Sequence, residues 1–372
     1  MKRSQIKLRS TLTKLGVFIV ASAVFYTLYN CEQVRNKTAE NGVQKSIYAN
    51  DVIPFFDHWK LILGDGSNVG IANNFENKNF FYTANDGTND WVVFKAPNAG
   101  DTHGTSNNCR TELAQMKKWY PATADDKLSA TLKVMNVSKT GAANVAASYS
   151  VVVGQIHSAD GHENEPLKIF YKKFPNHTKG SVFWHYEINT KGEDNSGRWD
   201  FSTAVWGDDF STVGSGPNTY PQEPKDGIEL GEEFRYEVKV KEGVMYLTFE
   251  SDGHQTKTFT KNLIASEYTK DAAIPEQTQK LFVPTGQSGL ERKDAYAKEG
   301  LFFKLGAYNQ TNGKSPKLNK NWCSGAETHR GDLNKQYADG NFVEVWFKKA
   351  SISISDSAVS NKGYFEKNDK IK

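Results

Sequence analysis

The chain has 372 residues, with 46 Lys and Arg against 43 Asp and Glu, a formal net charge of +3. That near-balance excludes a strongly basic nucleic-acid coat and a long acidic tail, and 38% apolar residues, 12% aromatics and 30 Gly exclude a disordered chain. Three Cys exclude a disulfide-dense scaffold and a zinc ribbon. Residues 1–14 carry Lys2, Arg3, Lys7, Arg9 and Lys14 and no acid, and an apolar run follows from Leu15 to Leu28. That run is shorter than the ~20 residues that span a bilayer. With Ala21-Ser22-Ala23 inside it, residues 1–30 predict a secretory signal. Cys31 allows lipoprotein processing, although Asn30 is bulky for the residue before such a cysteine, and an uncleaved anchor is the third alternative. Each places the body outside the cytoplasm: secreted, periplasmic or an outer-surface lipoprotein, with any membrane tether through the N terminus only. Residues 31–50 are polar and aperiodic, a tether; 361–372 form a polar tail; 51–360 form one domain.

From about residue 128 the chain alternates with period two. Strands are expected at Leu128–Val137, at Ala147–Ser158, which is apolar on both faces as a central strand would be, and at Ser181–Asn189. Phe234–Lys241 and Val244–Glu250 flank Glu242-Gly243 as a hairpin, and Gln255–Thr260 extends it. Leu301–Gln310 and Asn341–Ser355 complete the set, while only Ala265–Asp271 and Asp294–Lys298 suggest short helices. Thr190–Glu232 and Thr311–Gly340 have the composition of long loops. Many strands joined by Gly, Asn and Asp turns predict an all-β antiparallel sandwich or jelly roll. Export permits a disulfide between Cys109 and Cys323, two unpaired buried thiols being the alternative.

Three segments put polar rows on strands. Alternation places Arg110 and Glu112 on one face, Gln155 and His157 on one face, and Phe302, Lys304, Gly306, Tyr308 and Gln310 on one face. Singly, each has an ordinary explanation: a surface ion pair, a satisfied polar edge, an aromatic with a bonded hydroxyl. Side by side, they would line a groove suited to an anionic polymer.

In order and spacing these segments resemble the alginate lyases of polysaccharide lyase family 7, whose pattern is Arg-[Ser/Thr]-Glu-Leu-Arg, Gln-[Ile/Val]-His and Tyr-Phe-Lys-x-Gly-x-Tyr-x-Gln. Here they are Arg110-Thr111-Glu112-Leu113-Ala114, Gln155-Ile156-His157 and Phe302-Phe303-Lys304-Leu305-Gly306-Ala307-Tyr308-Asn309-Gln310. The approach to the first motif and Trp59-Lys60-Leu61 also look familial, so the resemblance covers roughly 51–355. Two departures stand out: Ala114 in place of a second Arg, and Phe302 in place of a Tyr. The resemblance implies a concanavalin-like β-jelly roll of two antiparallel sheets, with a concave sheet that binds alginate, a 1,4-linked polymer of mannuronate and guluronate.

Cleavage of such a polymer by β-elimination removes the C5 proton, which is weakly acidic because it sits beside a carboxylate, and then breaks the C4–O bond. Arg110 and Gln155 are the expected stabilisers of the developing charge. His157 is the expected base, and Tyr308 the acid that protonates the leaving O4, or a base as phenolate. Lys304 is expected to bind a neighbouring carboxylate and Glu112 to orient Arg110. Gln310 joins the substrate-binding row, with Asn309 beside it although alternation points Asn309 the other way. No cofactor is implied, and the eight His form no His-x-His or His-Glu-x-x-His pattern that would hold a metal. Two rivals remain: a non-catalytic carbohydrate-binding module or lectin on the same sandwich, and a glycoside hydrolase, whose best acidic cluster is Asp226, Glu229 and Glu232.

Overall fold

The computed structural model describes residues 47–54, 56–104, 106–160, 164–188, 199–265 and 292–369. The expected signal, Cys31, most of the tether and the expected helix beyond Ala265 lie outside these residues. The chain divides into units 1–46 and 47–372, and everything described belongs to the second.

Its strands run β1 (Trp59–Ile62), β2 (Asn68–Gly70), β3 (Phe81–Asn85), β4 (Asp90–Pro97), β5 (Arg110–Gln115), β6 (Lys117–Lys118), β7 (Asp125–Asn136), β8 (Ser150–Ser158) and β9 (Leu167–Lys172). They continue with β10 (Lys179–Ile188), β11 (Trp199–Trp206), β12 (Ile228–Glu229), β13 (Glu233–Lys241), β14 (Val244–Glu250), β15 (Lys257–Asn262), β16 (Leu301–Asn309), β17 (Phe342–Ser353) and β18 (Val359–Ser360). One sheet has the order β11-β10-β9-β8-β16-β5-β1-β2, with β12 beside β10; the other has the order β15-β14-β13-β7-β17-β4-β3. Every pairing in both is antiparallel, as the jelly-roll reading requires. One large apolar cluster draws on both sheets and fills the space between them.

The β13–β14 hairpin shows why this sequence makes this sheet. Phe234, Tyr236, Val238 and Val240 are buried, while the residues between them are partly or fully exposed, so burying one face fixes the register. The turn residues Glu242 and Gly243 both have positive φ (49° and 86°), the type I′ geometry whose twist matches the strands.

β8 breaks strict alternation, and the break matters. Val151 and Val153 point into the core, yet Ile156 does too, because the register slips between Val152 and Gly154. This bulge turns Gln155 and His157 to the outer face. Gly154 is required there: a Cβ would lie 2.6 Å from the Tyr236 hydroxyl, which donates to the Val153 carbonyl at 3.1 Å.

Several expectations are corrected. The segment 190–232, expected as loop, contains the edge strand β11 and the short β12; the segment 311–340 contains the helix Leu333–Ala338, capped by the Asp332 carboxylate accepting from the Lys335 amide. Residues 294–298 form turns closed by a Lys298–Asp294 ion pair of 2.9 Å, not a helix. The polar tail folds as a helix, Lys362–Asp369. No described helix is long and apolar enough to cross a membrane.

Candidate active site

β8, β16 and β5 are neighbours, so the three motif rows lie side by side. Register sets His157 opposite Phe302, Lys304 between Gln155 and Ala114, and Tyr308 opposite Arg110. Gly306 makes the approach of β16 to β5 possible: at φ +147°, a Cβ would sit 2.4 Å from the Thr111 carbonyl oxygen and 2.8 Å from the Glu112 Cα. Above these strands is a cavity of about 590 Å³ lined by Arg110, His157, Lys304, Tyr308 and Gln310 among others.

Glu112 lies beneath the cavity and organises it. Its carboxylate, 1% exposed, is 2.6 Å from the Lys304 ammonium, accepts the Gln155 amide, and is 3.4 Å from an Arg110 Nη1. Burial pushes its pKa up, but Lys304 and Arg110 outweigh that and hold it below the usual carboxylate range. Two cations thus share one carboxylate, leaving a positive surplus. The Arg110 Nε is buried with no hydrogen-bond partner among the described residues. A buried unpaired donor in a cationic cluster is a place for an anion.

Tyr308 stands against that cluster. The Arg110 guanidinium carbon sits 3.7 Å from the centre of its ring, and its hydroxyl is 3.1 Å from Ser106 Oγ. The guanidinium thus rests on the face of the ring as a cation–π contact.

His157 is 6% exposed. Its Nδ1 donates to the Ser158 carbonyl at 2.7 Å, which leaves the Nε2 lone pair free to accept a proton; Nε2 is 3.5 Å from a Glu165 oxygen. Burial first, then the Lys304 ammonium, push the imidazole from 6.5 down to about 3. Above 6.5 neither the folded nor the unfolded chain protonates this group, whereas between 6.5 and about 3 only the unfolded chain does. His157 therefore removes stability as the pH falls through that window. The ring resonances of His157 should show no titration from about pH 8 to 5 by NMR; a midpoint near 6.5 would contradict a neutral, buried imidazole.

The remaining expected site residues divide. Gln310, 4% exposed, lines the cavity and donates to the Tyr308 carbonyl at 3.3 Å. Gln155, 1% exposed, gives its amide to Glu112 and so acts on the cavity through that carboxylate. Asn309 is a correction. Alternation turns its side chain away from the cavity, and its amide donates to the Pro97 carbonyl and to Asn98 Oδ1, both at 3.0 Å, anchoring β16 to the end of β4. Of the two alternatives for Cys109 and Cys323, the disulfide is not formed: both thiols are free. Cys109 is buried in the intersheet core, where burial pushes its thiol up to about 12, while Cys323 lines the cavity. Glu229 and Glu232 sit on a surface turn closed by the Glu229 amide donating to Glu232, and neither they nor Asp226 line the cavity.

Sequence reasoning missed Ser106, Lys168, Tyr364 and Phe365, all on the cavity wall. Lys168 bridges Glu165, at 3.1 Å, and the fully buried Glu187; the alternating row of β9 could have shown it. No described residues form a cluster of three His, Cys, Asp or Glu able to hold a metal ion.

A family model described as alginate lyase matches residues 53–354. The chain is 27% identical over 276 residues to an alginate lyase of Klebsiella pneumoniae, covering 66% of this chain and 76% of that protein. It is 59% identical to the crystal structure of an exolytic PL7 alginate lyase from Zobellia galactanivorans, with a TM-score of 0.80, covering 83% of this chain and 98% of the other. A Klebsiella pneumoniae alginate lyase structure shares the fold at 20% identity and a TM-score of 0.54, covering 81% of this chain and 96% of the other. With its three strand motifs adjacent on one sheet and the match running over most of its length, this chain belongs to the alginate lyase family.

Proposed function

We propose that this enzyme works from the ends of alginate chains, with Arg110 neutralising the uronate carboxylate, His157 taking the C5 proton and Tyr308 protonating the departing O4. As an alginate lyase it breaks the 1,4 link between mannuronate or guluronate units by β-elimination. The C5–H electrons form the C4=C5 double bond, the C4–O4 bond breaks, and O4 leaves with a proton. The observation that carries the assignment is the positive surplus around Glu112, with the unpartnered Arg110 Nε, beside a phenol and a neutral imidazole on one cavity. A cation held in a dry wall stabilises the enolate-like charge far better than water does. Gln155 and Glu112 position Arg110 and Lys304 rather than touch the sugar. Lys304 and Gln310 are left to engage the substrate.

Exolytic action is supported by the relative of that name at 59% identity. Export through residues 1–30, with a membrane tether only if Cys31 is lipidated, is supported by the basic start and apolar run and suits a polymer too large to enter a cell.

In mannuronate and guluronate the C5 proton and the leaving oxygen have opposite relative orientations, so one group can serve both steps in one epimer but not the other. We expect Tyr308 to suffice for mannuronate and His157 to matter more for guluronate. The test follows the ultraviolet absorbance of the new double bond on alginate, with chelator present. The parent should generate the chromophore, and His157→Ala should lose more rate on guluronate-rich than on mannuronate-rich polymer. Equal losses would end this division of labour; reducing ends without chromophore would end the lyase reading.

A further inference from the structure

The family match ends at residue 354, yet the chain returns to the cavity beyond it. β18 pairs with β6, and the Asn361 amide donates to the Met116 carbonyl at 2.9 Å, which aims the helix Lys362–Asp369 across the ends of β1, β5 and β16. Phe365, 8% exposed, packs with Ala114 and Phe302. Those are the two positions at which the strand motifs depart from the family pattern, and both departures are apolar: together they make a seat for an aromatic side chain.

The helix is fastened at its far end as well. The Asp369 carboxylate pairs with Lys60 at 2.6 Å, accepts the Asn68 amide at 2.8 Å, and lies 3.7 Å from His103 Nε2. The Lys60 ammonium also sits 4.8 Å over the Phe365 ring. Tyr364 then faces the catalytic row, its ring 4.9 Å from Phe302 and edge-on to His157 at 5.5 Å. Both Tyr364 and Phe365 line the cavity. A polysaccharide seated on the Arg110–Lys304–His157 row has Tyr364 beside the imidazole, and the rest of the helix covers the β16, β5 and β1 side of the groove at Phe302, Ala114 and Lys60.

We propose that the C-terminal helix is the end wall of the substrate groove, and that Tyr364 is the positioning residue against which the terminal uronate of the chain comes to rest. The proposal rests on the exolytic reading above and supplies its physical cause: a segment outside the matched family span converts a groove that polymer could traverse into one that accepts only a chain end. The aromatic ring offers a sugar an apolar face.

Two variants test it on alginate: a chain ending at Asn361, and full-length Tyr364→Ala, which leaves the Lys60–Asp369 pair in place. Double-bond formation, solution viscosity and product lengths are followed together. The parent should release short products from the first time points with little loss of viscosity. The shortened chain should give mixed, longer oligosaccharides and lose viscosity several-fold faster per double bond formed. Tyr364→Ala should raise KM for short oligosaccharides several-fold with kcat little changed. If the parent itself yields long mixed fragments from the start, the exolytic reading fails and the wall with it. If the parent acts from chain ends and the shortened chain keeps its product lengths and viscosity ratio, the wall alone is refuted. Should the shortened chain not fold, an unchanged KM in Tyr364→Ala refutes the role of that residue by itself.

Discussion

Tyr308→Phe is expected to lower kcat by about 10²–10⁴ with KM for polymer little changed, the size of effect that a positioned acid–base group supplies. That factor corresponds to roughly 2.7–5.5 kcal/mol of transition-state stabilisation. The substitution is narrow. Phe retains the ring on which the Arg110 guanidinium rests at 3.7 Å, so the cation–π contact and the packing of β16 survive. What disappears is one oxygen, with its 3.1 Å contact to Ser106 Oγ. Arg110, Lys304 and Gln310, the residues proposed to hold the sugar, stay in place, which is why binding should persist. Initial rates of double-bond formation against polymer concentration separate the two parameters. A variant that keeps kcat within a few-fold of the parent would remove Tyr308 from proton transfer.

Glu112→Gln should cost stability as well as activity. Gln keeps the shape of Glu112 but removes the carboxylate that pairs with Lys304 and Arg110 and accepts the Gln155 amide. Lys304 is 4% exposed, so its ammonium would remain in a dry place beside Arg110, its 2.6 Å partner gone and the more distant Glu165 left to act on it. Breaking a buried pair by removing one partner typically costs about 3–5 kcal/mol, because the other charge is stranded. Urea denaturation of parent and variant measures it. Glu112→Gln combined with Lys304→Met should recover part of the loss, since the stranded ammonium is then gone, and the double-mutant cycle isolates the coupling. A loss below about 1 kcal/mol, within the range of exposed pairs, would show that the two cations are served by solvent instead.

The parts of this molecule that were legible from sequence share one property. β13, β14 and the later half of β17 bury one face and wet the other, so period two shows the strand and its register together. β4 carries the unbroken apolar stretch Trp91-Val92-Val93-Phe94, buried on both faces, and shows no alternation to find. β11 was hidden by its Asp, Ser and Thr, which suit turns, although at the sheet edge they are tolerated in a strand. The polar rows were legible because polar residues on one face of a strand must be accounted for. Alternation points Asn309 away from the row, and the structure follows alternation rather than the motif that places Asn309 among the substrate-binding residues. The bulge in β8 was not legible: Val151 and Val153 continue the row of Gln155 and His157 in sequence but not in space. Lys362–Asp369 is too short to display a helical period, and its two aromatics belong to a wall that exists only once distant strands are assembled. The disulfide failed for the same reason, since spacing in sequence says nothing of the separation of two Cα atoms.

The central claim is that guanidinium, imidazole and phenol from three strands act on one uronate ring. The most direct measurement is a crystal structure of the Tyr308→Phe variant, slowed by loss of the hydroxyl, with an alginate oligosaccharide bound. The account requires one sugar carboxylate within about 3 Å of Arg110, with C5 of the same ring facing His157 Nε2 and its O4 beside the ring of residue 308. An oligosaccharide bound with its carboxylate away from Arg110, or with His157 and residue 308 against different sugars, would contradict it.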